Sequence, residues 1–280
     1  MKKGLVLEGG AMRGMYTSGV LDAFLDEKIE FDDIIGVSAG TLFGVNFLSK
    51  QRGRAIRYNK RFSKKLNYMG LFSLLTSKNI INKKFAFYEV PFKLDVFDNE
   101  EYKKSNTNFY ATVTNVETGK PEYILLKDVF EQMELLRATS AMPFVSEIVD
   151  IDGKKYLDGG VSDSIPFEKC ISMGCNKTVV VLTRDINYRK KPHSDKIHKM
   201  FYKKYPEFIK VSSSRYKTYN ESVEKLIELE EKGEVFVIRP SEPIGIGRLE
   251  KDPQKLQSVY ELGFNDAKKN IEKLKKYLEK

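Results

Sequence analysis

The first 50 residues repeat one short pattern, and this repetition constrains the fold more than any other feature of the sequence. Residues 4–7 form an apolar run that ends at glycines, and apolar residues recur at helical spacing over residues 15–27. Residues 34–37 are a second apolar run, followed by the largely apolar stretch 41–48. Strand, tight turn and helix in repeated order are typical of parallel sheets with crossover helices. We therefore predict an α/β fold, a three-layer sandwich with a mainly parallel central sheet.

The rest of the sequence continues this fold without a linker, an internal repeat or a low-complexity tract. Alternating or β-branched runs predict strands at residues 108–115, 122–126, 177–183 and 235–238 and a hairpin over 146–157, and helical spacing predicts helices at 131–138, 212–232 and 254–278. Residues 70–82 mix leucines with Ser, Thr and Asn, so they form either a loosely held lid helix or part of the core. We predict a single domain over residues 1–280.

The chain has two histidines, His193 and His198, and both lie in the polar, lysine-rich stretch 184–204. This stretch offers no strand end or tight turn that would hold a catalytic base. A Ser-His-Asp triad and a histidine metal site are therefore both disfavoured. Hydrolytic chemistry in this chain needs another base.

Cysteine usage and hydropathy indicate a cytoplasmic setting. Cys170 and Cys175 form no C-x-x-C motif and have no histidine nearby, so we predict that both are reduced. The N-terminal apolar run stops at Glu8, which is too early for a signal peptide. We find no run of about 18 uncharged apolar residues that would predict a membrane span.

The positive charge is concentrated in two blocks. The chain carries a net charge of +9, and residues 50–65 contain eight basic residues and no acid, while residues 184–204 contain eight basic residues and two acids. Such blocks indicate either an anionic partner or an ordinary solvated surface. A nucleic-acid partner is disfavoured, because no base-reading motif is present.

The segment Gly36-Val37-Ser38-Ala39-Gly40 lies between a predicted strand and a predicted helix. Small residues around a serine allow the sharp turn of a nucleophile elbow, which exposes the hydroxyl at the strand end and places it at a helix N-terminus. An ordinary strand-to-helix turn is the alternative. The context favours the elbow.

Two further glycine turns follow predicted strands. The turn at residues 8–14 can direct backbone N–H groups at an anion, although its spacing is a poor match to a dinucleotide fingerprint. Asp158-Gly159-Gly160 places a carboxylate where it could reach a serine. Taken alone, each of these turns is also compatible with a purely structural role.

Together, the three motifs resemble those of the patatin-like phospholipase family. The matching segments are Gly9-Gly10-Ala11-Met12-Arg13-Gly14, Gly36-Val37-Ser38-Ala39-Gly40 and Asp158-Gly159-Gly160, with similar flanks at residues 137–143 and 164–166. The resemblance is clear over about residues 3–166, and residues 177–280 are expected to complete the fold. One position departs from the family pattern, because Ala11 stands where a third glycine is usual.

The resemblance implies a Ser-Asp dyad of Ser38 and Asp158. It implies that the N–H groups of the turn hold the oxyanion and that the neighbouring residues support it; the oxyanion residues are Gly9, Gly10 and Ala11, the supporting residues are Arg13 and Gly14, and the remaining motif glycines are Gly36, Gly40, Gly159 and Gly160. An unperturbed aspartate is a weak base, with a pKa near 3.9, so oxyanion stabilisation would carry much of the catalysis. This chemistry suits activated acyl esters better than amides.

We therefore expect a lipid acyl hydrolase that needs no metal and no cofactor and acts through an acyl-serine intermediate. The alternatives are a soluble carboxylesterase or thioesterase for short acyl groups, and a catalytically idle module that binds anionic membranes. We further expect residues 50–65 to contact an anionic membrane surface peripherally, because eight basic residues and two aromatic residues follow the helix that Ser38 begins.

Overall fold

The computed structural model describes residues 1–192 and 195–279, and a single mixed sheet organises it. The eight strands are β1 Lys3–Leu7, β2 Asp33–Val37, β3 Asn108–Asn115, β4 Pro121–Leu125, β5 Val149–Ile151, β6 Lys154–Asp158, β7 Lys177–Val181 and β8 Val235–Ile238. The helices are α1 Met15–Asp26, α2 Ala39–Leu48, α3 Arg54–Phe62, α4 Leu71–Ser77, α5 Asn99–Lys103, α6 Met133–Thr139, α7 Phe167–Ser172, α8 Asp195–Phe201, α9 Pro206–Glu231 and α10 Pro253–Glu279.

The sheet is parallel through its centre and antiparallel at one side. Strands β3, β2, β1, β7 and β8 lie side by side in this order and are all parallel. Strand β4 pairs antiparallel with one edge of β3. Along the other edge of β3, β2 ends with Val37 opposite Thr112, and the antiparallel β6 ends with Asp158 opposite Val113. The carboxyl ends of β2 and β6 therefore meet beside the middle of β3.

Both faces of the sheet are covered, as the near-continuous apolar strands require. Leu5 and Leu7 of β1 belong to a large core that includes buried residues of α1, α2 and α10. Val6, between them, points to a second core that includes residues of α7 and α9. The predicted three-layer α/β fold with a mainly parallel sheet is thus confirmed.

Most predicted elements are confirmed, and the differences concentrate between α2 and β3. The strands and the hairpin appear where the apolar patterns place them, with Asp152 and Gly153 both at positive φ in the hairpin turn. Helix α9 begins at Pro206, because proline is well tolerated in the first turn of a helix. The sequence did not predict α3, α5, α7, α8 or the π-helical segment Lys83–Leu94, which contains Pro91. Residues 70–82 contain the short helix α4, in which Leu71, Phe72 and Leu75 are exposed, so this segment is not simply core.

Helices α1 and α10 join the two ends of the chain through close contact. A Cβ on Gly19 would lie 2.0 Å from the carbonyl oxygen of Tyr260, and a Cβ on Gly263 would lie 2.0 Å from that of Tyr16. Only glycine permits this approach. Two buried hydrogen bonds cross the same interface: Tyr16 donates to Asp266 over 3.1 Å and Tyr260 donates to Asp22 over 2.7 Å.

Half of the basic block at residues 50–65 is paired in space with acids that are distant in sequence. Lys50 contacts Glu101, Arg52 contacts Asp26, and Arg54 and Arg57 share Asp95. No acidic residue lies within the block, but the fold brings acidic residues from other segments next to it. The positive charge available to an external partner is therefore smaller than the sequence suggests.

Two further sequence expectations concern the cysteines and the membrane. Cys170 and Cys175 are free and buried, and both thiols lie against Gly4. Among the helices in the described ranges, none combines the length and the apolar character that crossing a bilayer requires.

Candidate active site

Ser38 occupies the turn between β2 and α2 in a strained backbone conformation, with φ 52° and ψ −120°. A positive φ is costly for a residue with a Cβ and persists only where the surroundings enforce it. Thr139 provides part of this restraint: its hydroxyl accepts the Ser38 N–H over 3.0 Å and donates to the carbonyl of Thr112 over 2.6 Å. This is the geometry of a nucleophile elbow.

Asp158 ends β6 and therefore faces the end of β2, where Ser38 lies. Its carboxylate accepts the Gly160 N–H over 2.8 Å. Burial raises the pKa of Asp158 above its ordinary value, and the positive charge of Arg215 and the nearby Ser38 hydroxyl oppose this rise. A carboxylate whose pKa is raised therefore lies beside the serine hydroxyl.

The first glycine turn lies directly beside Ser38. A Cβ on Gly9 would lie 2.9 Å from the Cβ of Ser38, so only glycine fits there. The N–H of Met12 donates to the carbonyl of Arg248, whereas the N–H groups of Gly10 and Ala11 have no acceptor among the residues that the structure describes. Ala11 has φ 49°, the left-handed region that glycine would occupy at lower cost. The turn thus presents two unused donors close to the serine.

The other motif glycines permit close packing around the same point. A Cβ on Gly40 would lie 2.3 Å from the carbonyl oxygen of Leu7, and one on Gly159 would lie 2.2 Å from that of Thr112. Side chains at Gly14, Gly36 and Gly160 would also press on neighbouring atoms. The glycines of all three motifs therefore bring the two turns and the end of β6 together.

Arg13 of the first turn is buried, with 8% of its surface exposed. Burial, together with the positive charges of Arg184 and Arg248, lowers the pKa of Arg13 to about 10. Its Nε has no hydrogen-bond partner in the described part of the chain. The expected support of the turn by this side chain is thus not visible as a hydrogen bond.

A cavity of about 890 Å³, measured with its open mouth, lies beside Ser38. Ser38, Ala11, Met12 and Arg248 lie on its wall, and most of the remaining wall is apolar, including Leu42, Phe43, Val45, Met69, Phe87 and Leu136. Pockets with few polar groups on their walls suit largely apolar ligands. A long acyl chain fits this description.

The histidines are not part of this arrangement as far as the structure describes it. His198 is buried in α8, where its ring packs edge-on against Phe144 with 4.9 Å between ring centres. This differs from the solvated polar stretch that the sequence indicated. His193 lies outside the described residues. No group of three His, Cys, Asp or Glu side chains that could hold a metal ion occurs within the described ranges.

Sequence reasoning missed three residues near the site. Thr139 lies in the flank 137–143, which carried the family resemblance but no assigned role. Arg215 of α9 and Arg248, before α10, come from the last third of the chain, where no motif marks them. The sequence offered no signal for Arg215 and Arg248 beyond the presence of a basic residue at each position.

A strained serine turn, an aspartate and a glycine turn therefore lie together beside an apolar cavity on an α/β fold. The patatin-like phospholipase family model matches residues 5–171, and the chain belongs to this family. A second model, described only as a domain of unknown function, matches residues 205–279.

Curated relatives cover part of the chain. An uncharacterised protein of Escherichia coli K12, YjjU, is 31% identical over 189 residues, which are 64% of this chain and 51% of the relative. Lysophospholipase nte1 of Aspergillus fumigatus is 27% identical over 180 residues, 62% of this chain and 11% of the relative. Probable lipid hydrolase 463L of Invertebrate iridescent virus 6 is 26% identical, over 60% of this chain and 63% of the relative.

Among solved structures, VipD of Legionella pneumophila aligns with 97% of this chain and 67% of its own, at 13% identity and a TM-score of 0.47. The chain spans about half the length of the E. coli relative and a small part of the fungal lysophospholipases.

Proposed function

We propose that the protein is a lipid acyl hydrolase that cleaves acyl esters through an acyl-Ser38 intermediate, with Asp158 as the base. The observation that carries this proposal is that strained Ser38 lies on the wall of an apolar cavity, where the carboxyl ends of β2 and β6 bring it beside the buried Asp158. Membership of the patatin-like phospholipase family and the names of the lipid-hydrolysing relatives support it.

The reaction has two displacement steps. Ser38 Oγ attacks the ester carbonyl carbon while its proton passes to Asp158, and the oxyanion forms against the N–H groups of Gly10 and Ala11. Collapse breaks the ester C–O bond, and the leaving alcohol takes the proton from Asp158. A water molecule then attacks the acyl-serine in the same way and releases the fatty acid.

The cavity favours a lipid over a short acyl group. Its wall is apolar over most of its extent, and each buried methylene of an acyl chain is worth about 0.8 kcal/mol. For p-nitrophenyl esters, kcat/KM should therefore rise with acyl length. A constant kcat/KM from two to ten carbons would favour a short-chain esterase instead.

Covalent labelling tests the proposed chemistry directly. A fluorescent fluorophosphonate should label the wild type on Ser38, and Ser38→Ala and Asp158→Asn should prevent labelling and ester hydrolysis. Ser140→Ala is the matched control and should keep the label, because the Ser140 hydroxyl is held by the Leu136 carbonyl over 2.9 Å. Absence of labelling in well-folded wild type would favour the idle membrane-binding module.

We also propose that the enzyme contacts anionic membranes through α4 and its flanks rather than through the whole block 50–65. Leu71, Phe72 and Leu75 are 68%, 49% and 76% exposed, and Lys64 and Lys78 are exposed on either side in sequence. Exposed apolar side chains flanked by lysines are typical of surfaces that dock on anionic lipid.

The position of α4 supports this docking surface. Met69 and Ile81 pair through an isolated bridge at the two ends of the segment that carries α4, and both lie on the cavity wall. The exposed apolar side chains are therefore attached directly to the wall of the acyl cavity. A lipid that leaves the bilayer there would have a short path to Ser38.

A further inference from the structure

Five basic side chains converge on the region beside Ser38 and Asp158. We refer to Arg13, Arg184, Lys190, Arg215 and Arg248 as the cationic cluster. Each electrostatically affects at least one other member, and Arg215 and Arg248 both act on Asp158. Two of the five, Arg215 and Arg248, belong to the segment that the domain of unknown function covers.

One side of the cationic cluster is built around Gly160. The Nη2 of Arg215 and the Oδ1 of Asp158 each lie 3.1 Å from the position that a Cβ on Gly160 would take. Lys190 donates to the Ser164 hydroxyl over 3.1 Å, and that hydroxyl donates to the Gly160 carbonyl over 2.7 Å. Arg215 and Lys190 therefore reach the same turn that holds the carboxylate of the dyad.

The other side lies along the first glycine turn. The Arg248 carbonyl accepts the Met12 N–H over 3.2 Å, and Arg248 shares the cavity wall with Ser38. Arg184 stacks on the Tyr188 ring at 3.9 Å, next to Tyr219, on which Lys190 lies at 3.4 Å. Aromatic faces thus hold two of the basic groups and add no carboxylate beside them.

Two carboxylates, Glu8 and Asp158, act electrostatically on this cluster of five basic groups. Glu8 accepts hydrogen bonds from Thr183 and from Tyr219, both neutral donors. In the described ranges, no member of the cationic cluster forms an ion pair of the kind that joins Arg54 and Arg57 to Asp95. The buried Nε atoms of Arg13 and Arg215 have no partner there either.

This arrangement is costly without an anion where the guanidinium is buried, as in Arg13, whereas Arg248 is exposed and accessible to an anion. Burying a guanidinium is unfavourable unless a counter-charge or hydrogen-bond acceptor repays the loss of water. Arginine groups bind phosphate oxygens with short, charge-assisted and often paired hydrogen bonds. A phosphate group would supply the acceptors and the negative charge together.

We propose that the cationic cluster is a subsite for a phosphate group with uncompensated negative charge, next to the ester that Ser38 attacks. This inference rests on the proposed function and deepens it: the preferred substrate is an anionic lipid, such as one with a glycerophosphate head group. Glu8 is already engaged and Asp158 serves the serine. The subsite therefore offers no carboxylate to hold the ammonium of a zwitterionic head group.

Direct binding tests the subsite independently of catalysis. Inorganic phosphate is titrated into the full chain by calorimetry at low salt. We expect saturable one-site binding, weakened at least tenfold by Arg215→Gln and by Arg248→Gln and less by Arg248→Lys. Arg52→Gln is the matched control, because Arg52 is paired with Asp26 away from the cavity wall, and its affinity should equal that of the wild type. Thermal unfolding monitors the folding of each variant.

Substrate preference separates a lipid head group from free phosphate. Dihexanoyl-phosphatidylglycerol and dihexanoyl-phosphatidylcholine are compared as monomers, so that membrane docking plays no part. The wild type should prefer the glycerol lipid at least tenfold in kcat/KM, and this ratio should approach one in Arg215→Gln and Arg248→Gln. Phosphate binding without any lipid preference would overturn the head-group assignment.

The two proposals can fail separately. If phosphate binds as expected but no ester is cleaved, the proposed function fails while the subsite stands. If esters are cleaved with no preference for anionic lipids and phosphate binding is absent or unaffected by the arginine substitutions, the subsite is overturned and the hydrolase stands.

Discussion

Ala11 carries the one departure of the glycine turn from the family pattern, and its backbone shows what the departure costs. At φ 49°, its Cβ opposes the conformation that the turn requires. Ala11→Gly should raise the free energy of unfolding by about 0.5–1 kcal/mol, since the relief of strain exceeds the extra entropy of an unfolded glycine. Labelling by fluorophosphonate should be retained. Chemical denaturation measures the change.

The control for this prediction has the opposite sign. Ala23 lies inside α1, where alanine is favoured, so Ala23→Gly should lower the free energy of unfolding by at least about 0.5–1 kcal/mol. A loss of stability in Ala11→Gly as well would contradict the strain argument.

Arg215 influences the base through charge. Its positive charge lowers the pKa of Asp158, while burial raises it. Since the proposed reaction needs ionised Asp158, kcat/KM should rise with pH through that pKa. In Arg215→Gln the charge that lowers the pKa of Asp158 is gone. The acidic limb of the pH profile of kcat/KM should therefore move to higher pH. The pH profile for a neutral p-nitrophenyl ester measures this, and an acidic limb that stays in place or moves to lower pH would remove Arg215 from this role.

The motif residues and the cationic cluster differ in how far the sequence could predict them. Glycines in a fixed order predicted the turns around Ser38 and Asp158, because close backbone approach leaves few alternatives. Arg215 and Arg248 contribute to the cationic cluster only through their positive charge and side-chain length. Many other basic residues in the sequence have the same two properties, so the sequence did not distinguish these two. Their place depends on how α9 and the segment before α10 pack, so it became visible only in the fold.

At the scale of elements, the dependence on packing also explains why the ion pairs of the block 50–65 were not predicted. Periodicity predicts which face of a strand or helix is buried, so the sheet strands were predictable. It does not predict which distant acid meets a surface arginine. Asp95 and Asp26, which pair with three arginines of the block, are therefore invisible as partners in the sequence.

Helix α4 makes the membrane proposal testable. The triple variant Leu71→Ser, Phe72→Ser, Leu75→Ser should weaken binding to vesicles of phosphatidylglycerol and phosphatidylcholine at least tenfold, because apolar insertion is lost. The three side chains are exposed, so thermal stability should change little. Sedimentation with vesicles at low and physiological salt measures the binding.

A matched pair of single substitutions isolates the effect of position. Ile171 is 42% exposed on α7, which packs on the opposite face of the sheet. Ile171→Ser should leave vesicle binding unchanged, whereas Leu75→Ser should reduce it. Equal vesicle binding by the triple variant and the wild type would contradict the proposal that α4 docks on membranes.

At the scale of the whole molecule, the contact between α1 and α10 holds the chain ends together. Gly263→Val would place side-chain atoms on the backbone of α1, so the helices must separate. We expect a loss of more than about 3 kcal/mol in the free energy of unfolding, as in severe overpacking. Gly245→Ala is the control: nothing lies within 4 Å of its Cβ position, so stability should stay within about 0.5 kcal/mol of the wild type. A similar stability for both variants would contradict the close packing.

The end-to-end meeting of β2 and β6 on β3 has a consequence for the timing of folding. The hydrogen bond between Ser38 and Thr139 spans 101 positions, and that between Glu8 and Tyr219 spans 211. Contacts between such distant segments form late, because closing a long loop costs conformational entropy before the contacts add any stability. A refolding chain should therefore recover its helical signal first and the proposed active site around Ser38 last, so a half-folded chain should hydrolyse no lipid.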